Sequence, residues 1–243
     1  MKVTIYFLTL LFSISSFAQK GTIVIPDGHS LLINVVKSDQ QGKFIYSAEK
    51  HKCIMWDRKS GQQLYTFSYN SSDPVSGLDV SPDGNNLAIC VGGKLLVFNT
   101  LNGELTGSQK AFNAQSDVVY SSDGEYIYVY SKGIHVLNSS SLQEKSFFKS
   151  DANNMKIWLL PESKLLAANA GNYEIYDLQT GTKTNSFSIS SETGYNNVAF
   201  LPAQQLLVAY GDNNTVVGFY DIYSGKKVGS VKADYYDITV IPS

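Results

Sequence analysis

An all-β fold of repeated four-stranded antiparallel units is what this 243-residue sequence predicts. Three observations carry the prediction. Two different turn markers recur in one phase, with a period near 40 residues. Short segments between the markers alternate apolar and polar side chains, the period of a half-buried strand. Sixteen tyrosines and twelve phenylalanines stand against six prolines, a balance that favours strands.

The first marker is an apolar residue, then Asp or Asn, then a turn ending in Gly. It reads Trp56-Asp57 to Gly61, Phe98-Asn99 to Gly103, Tyr176-Asp177 to Gly181 and Tyr220-Asp221 to Gly225. A degenerate copy is Leu137-Asn138, with Gln143 near the expected glycine. Successive copies lie 42, 39, 39 and 44 residues apart. The second marker is Ser81-Pro82-Asp83-Gly84, repeated as Ser121-Ser122-Asp123-Gly124 and decaying to Leu160-Pro161-Glu162-Ser163, Leu201-Pro202-Ala203-Gln204 and Ile241-Pro242-Ser243. Ser38-Asp39-Gln40-Gln41-Gly42 is its first copy, one residue longer. Pro presets φ and Gly supplies φ > 0, so such clusters punctuate hairpins.

Each unit then builds in order. An innermost strand precedes the second marker, as in Val118/Tyr120, Ile157/Leu159 and Val198/Phe200. A second strand follows it, as in Leu87-Ala88-Ile89 and Leu206-Leu207-Val208. The third strand ends at the Trp/Phe/Tyr-Asp marker, and the fourth starts after its Gly, as in Gln63 to Phe67 and Lys227 to Val231. One such sheet cannot bury both faces alone, whereas radial stacking buries both and leaves only short edges. The expected architecture is a β-propeller of four-stranded antiparallel blades, with five full repeats plus a partial one, the innermost strand Tyr236 to Ile241. The unfinished last blade favours a chain whose further blades or further domain lie beyond Ser243. The alternative is a complete propeller closed by pairing Thr22-Ile23-Val24-Ile25 with that last strand.

Gly28-His29, followed 28 residues after His29 by Asp57 within Ile54-Met55-Trp56-Asp57, resembles a WD repeat. The resemblance covers about residues 28–243, and the Ser-Pro-Asp-Gly turn is similar to that of the same propeller group. It implies partner binding on the face of the loops leading into each innermost strand, around the central channel. Carried over by position, that face holds Asp73, Asp117, Asn153, Lys156, Tyr195, Asn197 and Tyr236. Tyr and Asn there suit contacts with a peptide or glycan. Only the first unit has both Gly-His and Trp-Asp, and Lys50 stands where the family's usual turn Asp falls. The resemblance therefore implies that the buried His–Asp–Trp network is absent and that apolar packing holds the blades. Exported bacterial proteins similar to this one sometimes couple such a propeller to a caspase-like peptidase.

Residues 1–18 read as a signal peptide: Lys2, an apolar run from Val3 to Phe12, and Ser16-Phe17-Ala18 before Gln19. The run is shorter than the roughly 20 residues of a membrane span. Residues 19–243 are then an exported propeller domain without a membrane span, periplasmic or secreted. Net charge is −2 and no basic cluster exceeds a pair, which excludes a nucleic-acid footprint.

No catalytic centre, cofactor or metal site is expected. His29, His51 and His135 fall in different blades, none in metal-ligand spacing. His51 lies with Glu49, Lys50 and Lys52 in what reads as a solvated turn. The Asp-Gly pairs read as turn formers, and Gly92-Gly93 as a tight hairpin. Cys53 and Cys90 either pair in an oxidising compartment or act as small hydrophobes. The residues four before each turn marker, Asn34, Gly77, Asp117, Lys156, Asn197 and Asp237, form a mixed ring whose lysine argues against a tight divalent site. The expected function is a non-catalytic extracytoplasmic module that binds protein or peptide. The alternatives are a propeller-based enzyme and an accessory propeller serving a catalytic domain beyond Ser243.

Overall fold

The structure, a computed structural model, describes residues 28–110, 112–113, 115–150, 156–169, 171–189, 197–210 and 216–232. Residues 1–18, expected from the sequence to be a signal peptide, Thr22 to Ile25 and Tyr236 to Ile241 lie outside the described residues. Among the described residues twenty strands form five four-stranded antiparallel sheets, each paired in chain order. Blade 1 comprises β1 (Val35–Ser38), β2 (Phe44–Ala48), β3 (Lys52–Asp57) and β4 (Gln63–Ser68). Blade 2 comprises β5 (Val75–Val80), β6 (Asn86–Val91), β7 (Lys94–Asn99) and β8 (Leu105–Lys110). Blade 3 holds β9 (Asp117–Tyr120), β10 (Tyr126–Tyr130), β11 (Gly133–Asn138) and β12 (Glu144–Lys149). Blade 4 holds β13 (Lys156–Leu160), β14 (Lys164–Ala168), β15 (Asn172–Asp177) and β16 (Lys183–Ser188). Blade 5 holds β17 (Asn197–Leu201), β18 (Leu206–Tyr210), β19 (Val216–Asp221) and β20 (Lys227–Lys232). Among the described residues no helix is long and apolar enough to cross a membrane.

Period-2 alternation sends neighbouring residues of one strand into different layers. In β6, Leu87, Ile89 and Val91 pack with Tyr46, Met55 and Phe67 of blade 1. Ala88 and Cys90 of the same strand pack with Val118, Tyr120, Ile127 and Val129 of blade 3. Tyr128, Ile134 and Val136 then meet Ile157, Leu165 and Tyr176 of blade 4. Leu166, Tyr173 and Ile175 meet Phe200, Leu207 and Tyr220 of blade 5. Each fully buried aliphatic side chain contributes roughly 1.5–3 kcal/mol, so the four layers are the main attraction between blades. Cys53 and Cys90 are both free and buried, and they belong to different layers.

Hydrogen bonds explain both markers. In the first, Asp57 Oδ1 accepts the Ser60 N–H at 2.7 Å and Gly61 donates its N–H to Asp57 O at 2.8 Å. Asn99, Asn138, Asp177 and Asp221 repeat the side-chain turn. Each third strand carries a register shift just before this residue, as at Met55/Trp56, Val97/Phe98 and Val136/Leu137. In blade 3 the glycine position falls on Leu142, next to Gln143: Leu142 donates its N–H to Asn138 O at 2.8 Å and takes φ 57. In the second marker Ser81 Oγ donates to Asp83 Oδ1 at 2.5 Å and accepts the Asn86 N–H at 2.9 Å. Ser121, Asp123 and Tyr126 repeat that pattern.

The expectation that the first blade lacks the buried histidine network is overturned. His29 Nε2 lies 2.6 Å from Ser47 Oγ, and Trp56 donates its indole N–H to the same oxygen at 2.7 Å. His29 Nδ1 lies 3.2 Å from Glu49 Oε2, which also accepts the N–H groups of Ser30 and Leu31 at 3.0 and 2.9 Å. Glu49 is 1% exposed, so it is no part of a solvated turn. The carboxylate comes from the residue before Lys50, and the longer glutamate reaches the same histidine. Trp56 is half-buried, less enclosed than its place in the repeat suggests.

Candidate functional site: the channel end of the ring

The loops leading into the innermost strands share one end of the ring with the hairpins between second and third strands. Tyr69 donates its N–H to His51 O at 3.0 Å, and the Asn113 N–H meets Ser131 Oγ at 2.8 Å. Asp73 lies over the Gly92-Gly93 hairpin, where a Cβ on Gly92 would stand 3.1 Å from Asp73 Oδ2. Both glycines have positive φ, 56° and 71°, which confirms the tight turn. Asp73 is half-buried.

Behind these loops the innermost strands press together. A Cβ on Gly77 of β5 would stand 2.6 Å from Asp117 Oδ1 and 2.8 Å from Asp117 Cα on β9. Glycine is therefore required there by close approach of two backbones. Asp117 Oδ2 accepts the Ile157 N–H of β13 at 2.9 Å, and Lys156 Nζ stands 3.6 Å from Asp117 Oδ1. Lys156 also donates to Ser76 O. Asp117 is thus a buried wall group tying blade 3 to blade 4, and Lys156 is its exposed partner.

A second acid–base pair on this wall escaped sequence reasoning. Asp79 of β5 accepts the Tyr120 N–H of β9 at 2.8 Å, and Lys37 Nζ of β1 stands 3.1 Å from its other oxygen. Burial pushes the Asp79 carboxyl up from its usual range, an effect that Lys37 and the Tyr120 N–H partly offset. The available signal was one charge in an otherwise apolar innermost strand, Val75-Ser76-Gly77-Leu78-Asp79-Val80 and Val35-Val36-Lys37. Lys37, Asp79, Asp117 and Lys156 span four consecutive blades.

Of the candidate residues, the structure brings Asp117 and Lys156 together and places Asp73 on the loop before β5. Asn197 is the first residue of β17. Asn153, Tyr195 and Tyr236 lie outside the described residues, as does Asp237 of the inner ring. Among the described residues no three His, Cys, Asp or Glu gather as a metal-binding group. Both wall carboxylates spend an oxygen on a backbone N–H of the next blade, so this chemistry suits hydrogen bonding and charge contact.

Radial stacking of five such blades around a polar, charge-paired axis defines the class: a repeat β-propeller. The chain is a β-propeller, and part of it is similar to a WD repeat. The family described as WD domain, G-beta repeat, matches residues 61–99, from the marker Gly of blade 1 to the end of the third strand of blade 2. Among solved structures, a chain of Kuenenia stuttgartiensis hydrazine synthase superposes with a TM-score of 0.70 at 14% identity, over 90% of this chain and 70% of that one. At that identity the likeness is one of fold. No curated protein matches the chain in sequence.

Proposed function

We propose that this protein is a non-catalytic interaction module that binds a protein or peptide at the channel end of the ring. WD propellers commonly serve in protein interaction. One observation carries the reading: Asp117 and Lys156 stand 3.6 Å apart on adjacent innermost strands, beneath the loops that hold Asp73. Binding spreads its energy over an area with a few aromatic anchors, and Tyr195 and Tyr236 stand in the sequence where such anchors are needed. Replacing both by Ala should leave the fold intact and weaken partner capture by about 2 kcal/mol or more, the hot-spot scale. Pull-down from the native envelope fraction, followed by affinity measurement on the double variant, tests this; unchanged affinity removes the tyrosines as anchors. A turnover reaction abolished by a single Asp or His substitution defeats the module reading altogether.

The place of action we propose is extracytoplasmic. The charged, apolar and small-residue segments of residues 1–18 support it. Intact-mass analysis of protein from a secreting host should find Gln19 as the N-terminus.

A further inference from the structure

We propose a second binding site, at the opposite end of the ring, that takes a neutral polyhydroxylated ring, one monosaccharide unit. It stands independently of the channel-end reading. Between blades 2 and 3, where the Ser-Pro-Asp-Gly and Ser-Ser-Asp-Gly turns meet, lies a cleft of about 320 Å³. That space holds many waters and admits one hexose ring with its hydroxyls. Pro82, Val97 and Leu142 supply apolar wall, against which the C–H face of a sugar can lie.

The polar lining decides the ligand class. Asp83 and Asp123 carry negative charge, yet three of their four oxygens are committed within the turns. Asp83 Oδ1 accepts from Ser81 and the Asn85 N–H, its Oδ2 accepts from the Asn85 amide, and Asp123 Oδ1 accepts from Ser121 and the Glu125 N–H. One carboxylate oxygen, Asp123 Oδ2, remains, which is a poor seat for a guanidinium that wants two. No Lys, Arg or His lines the cleft, so an anion is disfavoured. The remaining uncommitted groups are the Asn86 amide, the Ser140 hydroxyl and the Tyr120 hydroxyl, each able to donate and to accept. Such a mixture matches a ligand whose own groups both donate and accept.

Tyr120 is the second, independent observation. It lines the cleft, is 4% exposed, and its hydroxyl has no hydrogen-bond partner among the described residues. A buried polar group left unpaired destabilises the fold, and a sugar hydroxyl would supply the missing partner. The hydroxyl is closed off from solvent, so a ligand reaches it only by displacing part of the lining. Leu142, half-buried and resting by its Cδ1 close to Gly107, belongs to that lining.

Saturation-transfer NMR on the full chain tests the site, with glucose, galactose, N-acetylglucosamine and their methyl glycosides as probes and agmatine as the cationic control. At least one sugar should bind at millimolar concentration and agmatine should not compete. Tyr120→Phe should bind roughly three- to tenfold more weakly, the loss of one hydrogen bond, while its melting temperature stays equal or rises. Ser140→Ala, at an exposed position, should weaken binding with no effect on folding. Methyl glycosides binding as well as reducing sugars identifies the terminal ring of a glycan, and their rejection identifies a free sugar. Absence of any sugar signal, displacement by agmatine, or wild-type affinity in both variants overturns the proposal.

Discussion

Glu49 shows how much one carboxylate can hold. Burial alone would raise its pKa, but hydrogen bonds from the Leu31 N–H, His29 and the Ser30 N–H, with Lys52 nearby, hold it below the usual glutamate range. A depressed carboxyl stabilises the fold above its unfolded pKa and loses that contribution as pH falls through the folded pKa. The window therefore lies below about 4.3, the ordinary glutamate value. Glu49→Ala strands two backbone donors and a histidine in a buried place and should cost about 3 kcal/mol. Lys50→Ala should stay within about 0.5 kcal/mol. Trp56→Ala removes a half-buried indole and its bond to Ser47, and should cost about 3 kcal/mol. Chemical denaturation of the three variants checks the order, and repeating Glu49→Ala at acid pH should show the wild-type advantage shrinking. The sequence pointed to His29 and Trp56 but not to the acid that joins them. Which of two adjacent residues, Glu49 or Lys50, turns inward depends on the hairpin's path, and no spacing rule contains that.

At the scale of strands and turns, the sequence was legible wherever a turn needs a particular side chain. Asp or Asn recurs at the end of each third strand because a short side-chain acceptor must cap the following N–H groups. The left-handed residue four positions later was legible as Gly in four blades and located only to within a residue in the one that uses Leu142. A leucine at positive φ carries no signature of its own, and only the Asn138 hydrogen bond reveals it. Blade 4 makes its first turn without glycine, with Glu162 at φ 58 and Ser163 at φ 53. A non-glycine residue in that region costs roughly 1–2 kcal/mol, less the extra entropy glycine loses on folding. Ser163→Gly should therefore raise stability by about 0.5–1 kcal/mol in a thermal melt. Gly77→Ala acts oppositely, because its Cβ would meet the backbone of β9 as well as the Asp117 carboxylate. It should cost about 1–3 kcal/mol, the usual scale of overpacking, and lower the denaturation midpoint accordingly.

Across the whole molecule, polar staples link blades that apolar layers bring together. Glu174 of blade 4 accepts from Ser150 and Tyr176 at 2.6 Å each and pairs with Lys183 at 2.9 Å, while Tyr130 of blade 3 donates to Ser150 at 2.8 Å. Burial raises the Glu174 pKa, and Ser150, Tyr176 and Lys183 together outweigh it, so the carboxyl sits below its ordinary range. Glu174→Ala takes the acceptor from two buried hydroxyls and should cost about 1–3 kcal/mol, the scale for leaving buried polar groups unpaired. Its effect should fade as pH drops below about 4.3; an undiminished effect at acid pH in denaturation would show packing, not charge, at work. The sequence by itself determined the number of four-stranded units from Val35 to Lys232, their strand order and the chemistry of their turns, because these depend on neighbours a few residues apart. Only the tertiary structure decided which polar and charged groups meet. Lys37 with Asp79, Asp117 with Lys156, and Glu174 with Ser150 are brought together by radial stacking, and pairing across blades depends on where each strand presses against the next.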